Sequence, residues 1–271
     1  MASAFVLFST ECVLGEGDIV GDVARVLNEA EGFFQEANET ALTDPGKAGE
    51  YYEKAAMRFD YVAREGMSGR GYALGNLGNT YFLGGDLGRA ILSYRKALEI
   101  LPNNAQLRAS LSHAREQRVD VFEFSERPPW VEWLFFWHYK LNHGERVAVF
   151  LCAWMVIWAL AFWRLFSGTK NAEAWRQGTG VCLVVCVLVG TSIWWHEGRG
   201  GDERGAVILQ DEVEARKGDG FIYEPAFKST LHSGTELDIV EERGDWVRGQ
   251  FGNGEKAWVP REVIGLVSDD A

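Results

Sequence analysis

The sequence predicts a multidomain membrane protein built from all-α helical repeats, a two-helix transmembrane hairpin and a small all-β barrel. Three observations lead there. Two apolar runs, Val147–Trp163 and Thr179–Trp195, carry no formal charge. The N-terminal third sets large apolar residues at helical spacing around small ones. The C-terminal quarter breaks into short β-like runs separated by glycine turns.

The apolar runs are read first. Each holds 17 residues, about 25 Å of helix at ~1.5 Å per residue, the short end of what a bilayer core needs. Leu165 and Phe166 lengthen the first if Arg164 snorkels. Trp163 and Phe166 end one run, Trp194 and Trp195 the other, where an interface belt would lie. The expected spans are 147–166 and 179–196, joined by a short basic loop at 167–178. The alternative is a pair of buried core helices, which usually keep a polar stripe. Arg164, Lys170 and Arg176 favour the loop inside and both ends outside. That predicts a two-span inner (cytoplasmic) membrane protein, in contact with membrane lipid, with both large domains periplasmic. Residues 1–28 form an N-terminal segment read as the remnant of a signal sequence. Met1–Thr10 is only faintly apolar and no Lys or Arg precedes Arg25, so the competing reading puts both domains in the cytoplasm.

The net charge is −12 and uneven. Residues 1–128 hold 13 Lys/Arg against 19 Asp/Glu, residues 129–196 hold 5 against 3, and residues 197–271 hold 9 against 17. No basic stripe exists to meet phosphates, which argues against nucleic acid as a partner. Of the cysteines, Cys152, Cys182 and Cys186 lie in the apolar runs and Cys12 near the start. No His or carboxylate completes a metal set with Cys182 and Cys186, so they read as packing residues and the chain is expected to hold no cofactor.

Residues 29–120 read as helical repeats. The clearest unit is 71–104, GYALGNLGNTYFLGGDLGRAILSYRKALEILPNN. Leu74, Leu77, Gly78, Tyr81, Ala90, Tyr94, Ala97 and Pro102 stand at the offsets of a 34-residue tetratricopeptide repeat. Leu74, Leu77 and Tyr81 make one helix face, Gly84–Gly85–Asp86 the turn, and Ile91, Tyr94 and Leu98 the inner stripe of a second helix. A weaker unit precedes it, with Phe33, Phe34, Ala37, Tyr52, Ala55, Phe59 and Val62. A helix over Ala105–Asp120, with Leu107, Leu111 and Ala114 inward and a charged outer face, suits a cap. A peptide groove is expected along the first helix of the strong repeat, lined by Tyr72, Asn76, Asn79 and Phe82, since Asn can both donate to and accept from a peptide backbone. A simple solvated face is the competing reading.

Residues 121–146 read as a linker broken by Pro128–Pro129, then an interfacial helix with Trp130, Trp133, Leu134 and Trp137 at helical spacing. Residues 203–267 change character. Val207–Leu209, Leu237–Glu242, Trp246–Phe251, Lys256–Val259 and Val263–Leu266 are β-like, with Gly244–Asp245 and Asn253–Gly254 as turns. The stretch LHSGTELDIVEERGDWVRGQFGNGEKAWVPREVIGLV resembles the SH3 family in its bacterial form. The resemblance implies a ligand surface carrying Trp246 and Pro260, with Tyr223 beside them. Asp211–Gly220 lacks the aromatics of proline-binding members. Phe221, Tyr223 and Phe227 either rebuild an aromatic surface or close the barrel.

Repeats, two apolar helices and a bacterial SH3-like domain, in that order, resemble the BatE-type proteins of the Bacteroides aerotolerance operon. The most specific stretch is Gly71–Asn104, including Asn76–Leu77–Gly78–Asn79. The resemblance implies an envelope scaffold beside membrane proteins with a von Willebrand factor A (vWA) domain and a MoxR-type ATPase.

No HExxH pair, Gly-x-Ser-x-Gly turn or Walker A run occurs. The chain is therefore expected not to be an enzyme and to have no catalytic or metal residues. Two functions remain: an adaptor that binds protein partners through repeats and barrel, or a binder or sensor of cell-wall peptidoglycan through the barrel.

Overall fold

The computed structural model describes residues 21–66, 69–120, 122, 143–166, 172–199 and 204–268. The chain forms two compact units, Met1–Ser125 with Asp202–Ala271, and Glu126–Gly201.

The first unit begins with helical repeats. Helices α1 (Gly21–Thr40) and α2 (Pro45–Glu65) form one hairpin, α3 (Arg70–Leu83) and α4 (Leu87–Ile100) the next, and α5 (Ala105–Glu116) follows. The starts are set by local chemistry. Asp44, Asp86 and Asn104 each accept a hydrogen bond from the backbone N–H three residues on, and Pro45 opens α2. Gly85 turns the chain between α3 and α4 at φ +86°. The buried stripe runs through Phe34, Tyr52, Phe59, Leu77, Ile91, Tyr94 and Leu107. Gly78 lets α3 and α4 cross closely, because a Cβ there would meet the Tyr94 ring at 2.6 Å.

The same unit ends in a small antiparallel sheet: β1 (Arg204–Ile208), β2 (Glu236–Arg243), β3 (Trp246–Phe251), β4 (Lys256–Pro260) and β5 (Ile264–Leu266). The strand order is β4-β3-β2-β1-β5. A register shift between Ile239 and Glu241 bends β2. Arg216 exchanges backbone hydrogen bonds with Trp258 at 2.8 Å, folding the segment after β1 onto β4. Inside lie Ala206, Ile208, Leu231, Leu237, Val247, Phe251 and Val259. Turn glycines at positive φ, Gly234, Gly244 and Gly254, stand where the chain reverses.

The helices and the sheet are packed together. α4 lies against β1 and β5 with close approaches at glycines. A Cβ on Gly88 would meet the Ile208 carbonyl oxygen at 2.8 Å, and one on Gly205 would collide with the Arg95 guanidinium. Arg115 of α5 reaches the sheet, while Arg108 and Glu116 on the same helix stay exposed. The helix also stops at Glu116, short of Asp120. Asp120 accepts hydrogen bonds from the His232 N–H (2.6 Å) and the Thr235 hydroxyl (2.9 Å). Phe122 follows it into the sheet, 5.2 Å from the Phe251 ring and 5.9 Å from Phe227.

The second unit holds α6 (His143–Phe166) and α7 (Ala172–Arg199), packed against each other. Phe150 and Trp154 stack at 6.4 Å, and Gly190 receives the Phe150 ring. Cys186 and Val189 are buried, while Cys152 is exposed. Among the described residues no helix is long and apolar enough to cross a membrane. This corrects the expected fold class, a membrane protein with a transmembrane hairpin, and the expected inner-membrane location. The helices themselves are 24 and 28 residues long, but the uncharged run within each is 17 residues, about 25 Å of helix. The N-terminal segment to residue 20, the Pro128–Pro129 linker with Trp130–Leu141, and Lys170 of the loop lie outside the described residues.

Candidate functional sites

The junction between helices and sheet is built around one carboxylate. Glu236 opens β2, and its side chain is 2% exposed. Arg115 donates to it from Nε and Nη2 at 2.8 and 2.7 Å, a two-toothed grip. Arg118 donates at 2.9 Å, and Arg95 stands 3.3 Å away. Burial pushes the Glu236 carboxyl up, but the Arg115 hydrogen bonds and the charges of Arg115, Arg95 and Arg118 outweigh it and hold the group below the ordinary carboxylate range. Burial also lowers Arg118, against the pull of Glu236. The three arginines come from α4, from α5 and from just past its end, so a single buried charge ties two helices to the sheet. Sequence reading missed this set. Arg115 and Arg118 looked like solvated charges, and Glu236 stood in a polar run beside a turn.

A second feature is an aromatic strip on the sheet. Trp246 and Pro260 are partners across the β3–β4 ladder. Phe221 meets the Trp246 ring edge-on at 4.9 Å. Ile222 is 92% exposed and Tyr223 46% exposed. The Tyr223 ring rests on Gly218, where a Cβ would meet it at 2.6 Å. Phe221 therefore sits on the surface, while Phe227 packs with Phe122 and Phe251. Trp258 is buried, with the Arg243 guanidinium 5.2 Å over its ring.

The residues expected to line a repeat groove are placed differently. Asn76 and Asn79 are 0% and 1% exposed. Asn79 accepts a hydrogen bond from the Tyr94 hydroxyl at 2.8 Å. They are interior polar groups, and the groove expected around them is corrected accordingly. α3 packs against α2 and α4 and touches α5, so it presents little open face. Tyr72 and Phe82 are half-buried, and Phe82 meets the His113 ring of α5 at 5.5 Å.

Among the described residues no group of three or more His, Cys, Asp or Glu could hold a metal ion. What the junction and strip can do is hold surfaces in fixed relation and offer aromatic faces.

The helices from 71 to 104 define a class: this region matches the tetratricopeptide repeat family over residues 71–104. The repeat is a non-catalytic unit typical of protein–protein interaction scaffolds. One relative is "Putative N-acetylmuramoyl-L-alanine amidase YrvJ" of Bacillus subtilis (strain 168), 35% identical over 83 residues. The match covers 30% of this chain and 16% of that protein, so the chain spans less than a fifth of the relative's length. No solved structure matches this chain.

Proposed function

We propose that this chain is a non-catalytic docking scaffold whose repeats and sheet act as one rigid body. The observation that carries the reading is the Glu236 junction. Linked modules that merely share a chain need no buried ion set between them. Here three arginines of the repeat region converge on one buried carboxylate of the sheet. Two modules held rigidly can present two surfaces to one assembly without the entropy cost of ordering a linker. Proteins with a vWA domain and a MoxR-type ATPase are the candidate partners that the family resemblance suggests. The test is affinity capture with the purified full chain and with Glu236→Gln. Loss of partners in the variant, with both modules still folded, supports the reading. Unchanged capture removes the need for a rigid body.

A second reading has its own support. The amidase relative and the SH3-like sheet favour recognition of cell-wall fragments by the aromatic strip of Phe221, Trp246 and Pro260, with Tyr223 alongside. Sedimentation with purified peptidoglycan sacculi tests it. Binding by the wild type that Trp246→Ala abolishes supports it, and a wild type that stays in the supernatant sinks it.

A further inference from the structure

The hairpin of α6 and α7 is apolar on the sides that face away from its own seam. On α6, Phe150, Trp154, Trp158 and Phe162 recur every four residues and form one ridge. Phe150 stacks on Trp154 at 6.4 Å, and Trp154 meets the Trp158 ring edge-on at 6.3 Å. The ridge begins where Phe150 lies against Gly190 of α7. It then climbs away from that seam: Trp154 is 46% exposed, Trp158 63% and Phe162 65%. α7 carries the opposite relief. Gly180, Val184, Val187 and Thr191 recur every three or four residues, on the side away from buried Cys186 and Val189, and all four are exposed. A Cβ on Gly180 would meet nothing within 4 Å. The Thr191 hydroxyl already donates to the Val187 carbonyl at 2.8 Å, so covering this side strands no polar group.

We propose that these faces dock on a second copy of this chain, α6 of each hairpin against α7 of the other, in a closed pair of two hairpins. Three arguments select a copy as the occupant. The first is area. The exposed parts of the aromatic side chains, at ~150–250 Å² for a whole ring system, and of the Leu, Met and Val side chains beside them leave on the order of 1,000 Å² of apolar surface bare. A lone chain leaves a largest apolar patch of about 300–600 Å², and a stable dimer needs about 800 Å² per partner. The second is shape. One hairpin holds both a bulky ridge and a row of small residues, so it is complementary to itself. A two-fold axis brings each ridge onto the other copy's small row at once, and the contact closes. The third is charge. Partners of different sequence are chosen largely by matched charges, and Val147–Trp163 and Thr179–Trp195 carry none. Two helices also bury little by themselves, whereas four enclose a core. The inference goes beyond the scaffold reading and does not rest on it: a paired chain presents each docking surface twice.

The test is sedimentation velocity of the purified full chain in buffer without detergent, over a hundredfold range of concentration. The wild type sediments at twice the mass of one chain and dissociates on dilution. Its dissociation constant does not rise with added salt, because no charge enters the contact. Trp158→Glu with Val187→Glu, one exposed site on each face, sediments as a single chain with its helical circular dichroism intact. Ile222→Glu, an exposed apolar site of the sheet region, leaves the pair unchanged. If the double variant fails to fold, Trp158→Ala must still raise the dissociation constant at least tenfold. A wild type that stays single at every concentration, a pair indifferent to these hairpin variants, or a pair that salt breaks overturns the proposal. Assemblies that keep growing with concentration overturn the closed pair. A single chain that floats with phosphatidylcholine vesicles overturns it in favour of a lipid surface.

Discussion

Arg118 and Glu236 meet at 2.9 Å although 118 positions of sequence separate them. Their contact turns a helical repeat and a small sheet into one unit. Arg115 completes the grip with two hydrogen bonds from a neighbouring turn. A buried carboxylate with three arginines is a poor source of net stability compared with an apolar cluster, but removing one partner is costly.

Glu236→Gln should therefore destabilise the protein by roughly 3 kcal/mol, since it leaves arginines facing a neutral amide in a buried place. Urea unfolding at pH 7 checks this. A midpoint unchanged from wild type would mean that the arginines are satisfied by water.

The same carboxylate sets an acid response. Its folded pKa is depressed, so its contribution is fully present above the unfolded value of about 4.3 and is lost as pH falls through the lower folded value. Thermal midpoints followed from pH 7 downward should show the gap between wild type and Glu236→Gln constant to about pH 5. The gap should close below about pH 4. A gap that widens in acid would contradict the assigned sign.

Gly78→Ala weighs two effects directly. Alanine favours a helix interior over glycine by about 1 kcal/mol. The added Cβ meets the Tyr94 ring at 2.6 Å, and that ring is fully buried and anchored by its hydroxyl on Asn79. Overpacking of this kind costs about 1–3 kcal/mol, so the variant should be less stable despite better helix propensity. Denaturant unfolding gives the sign.

Phe122→Ala should cost about 3 kcal/mol, because the ring lies with Phe227 and Phe251 at the end of the sheet core. Limited proteolysis should then cut faster beside the sheet. Equal cleavage rates would place Phe122 outside the core.

Phe221→Ala is the contrasting case. The side chain is mostly exposed, so stability should change by no more than about 0.5 kcal/mol. Any ligand of the aromatic strip should nonetheless be lost, as calorimetric titration of the variant with that ligand would report. Retained binding would move the ligand surface elsewhere.

The sequence by itself determined the local elements. Leu74, Leu77, Gly78, Tyr81 and Tyr94 announce a repeat because helix faces and close crossings follow from spacing and side-chain size. The Trp246–Phe251 strand and the Asn253–Gly254 turn are legible for the same reason: alternation and backbone freedom are short-range properties. Tertiary structure alone decided what those faces meet. It drew Arg95, Arg115 and Arg118 onto Glu236, and it enclosed Asn76 and Asn79, which sequence placed on an open groove. It also set Phe221 rather than Phe227 beside Trp246. The apolar runs show the limit most plainly. Lack of charge is visible in sequence, yet among the described residues the helices they form are not long and apolar enough to cross a membrane. Burial and pairing depend on atoms brought together from distant positions, and a linear pattern carries no record of which distant partner will arrive.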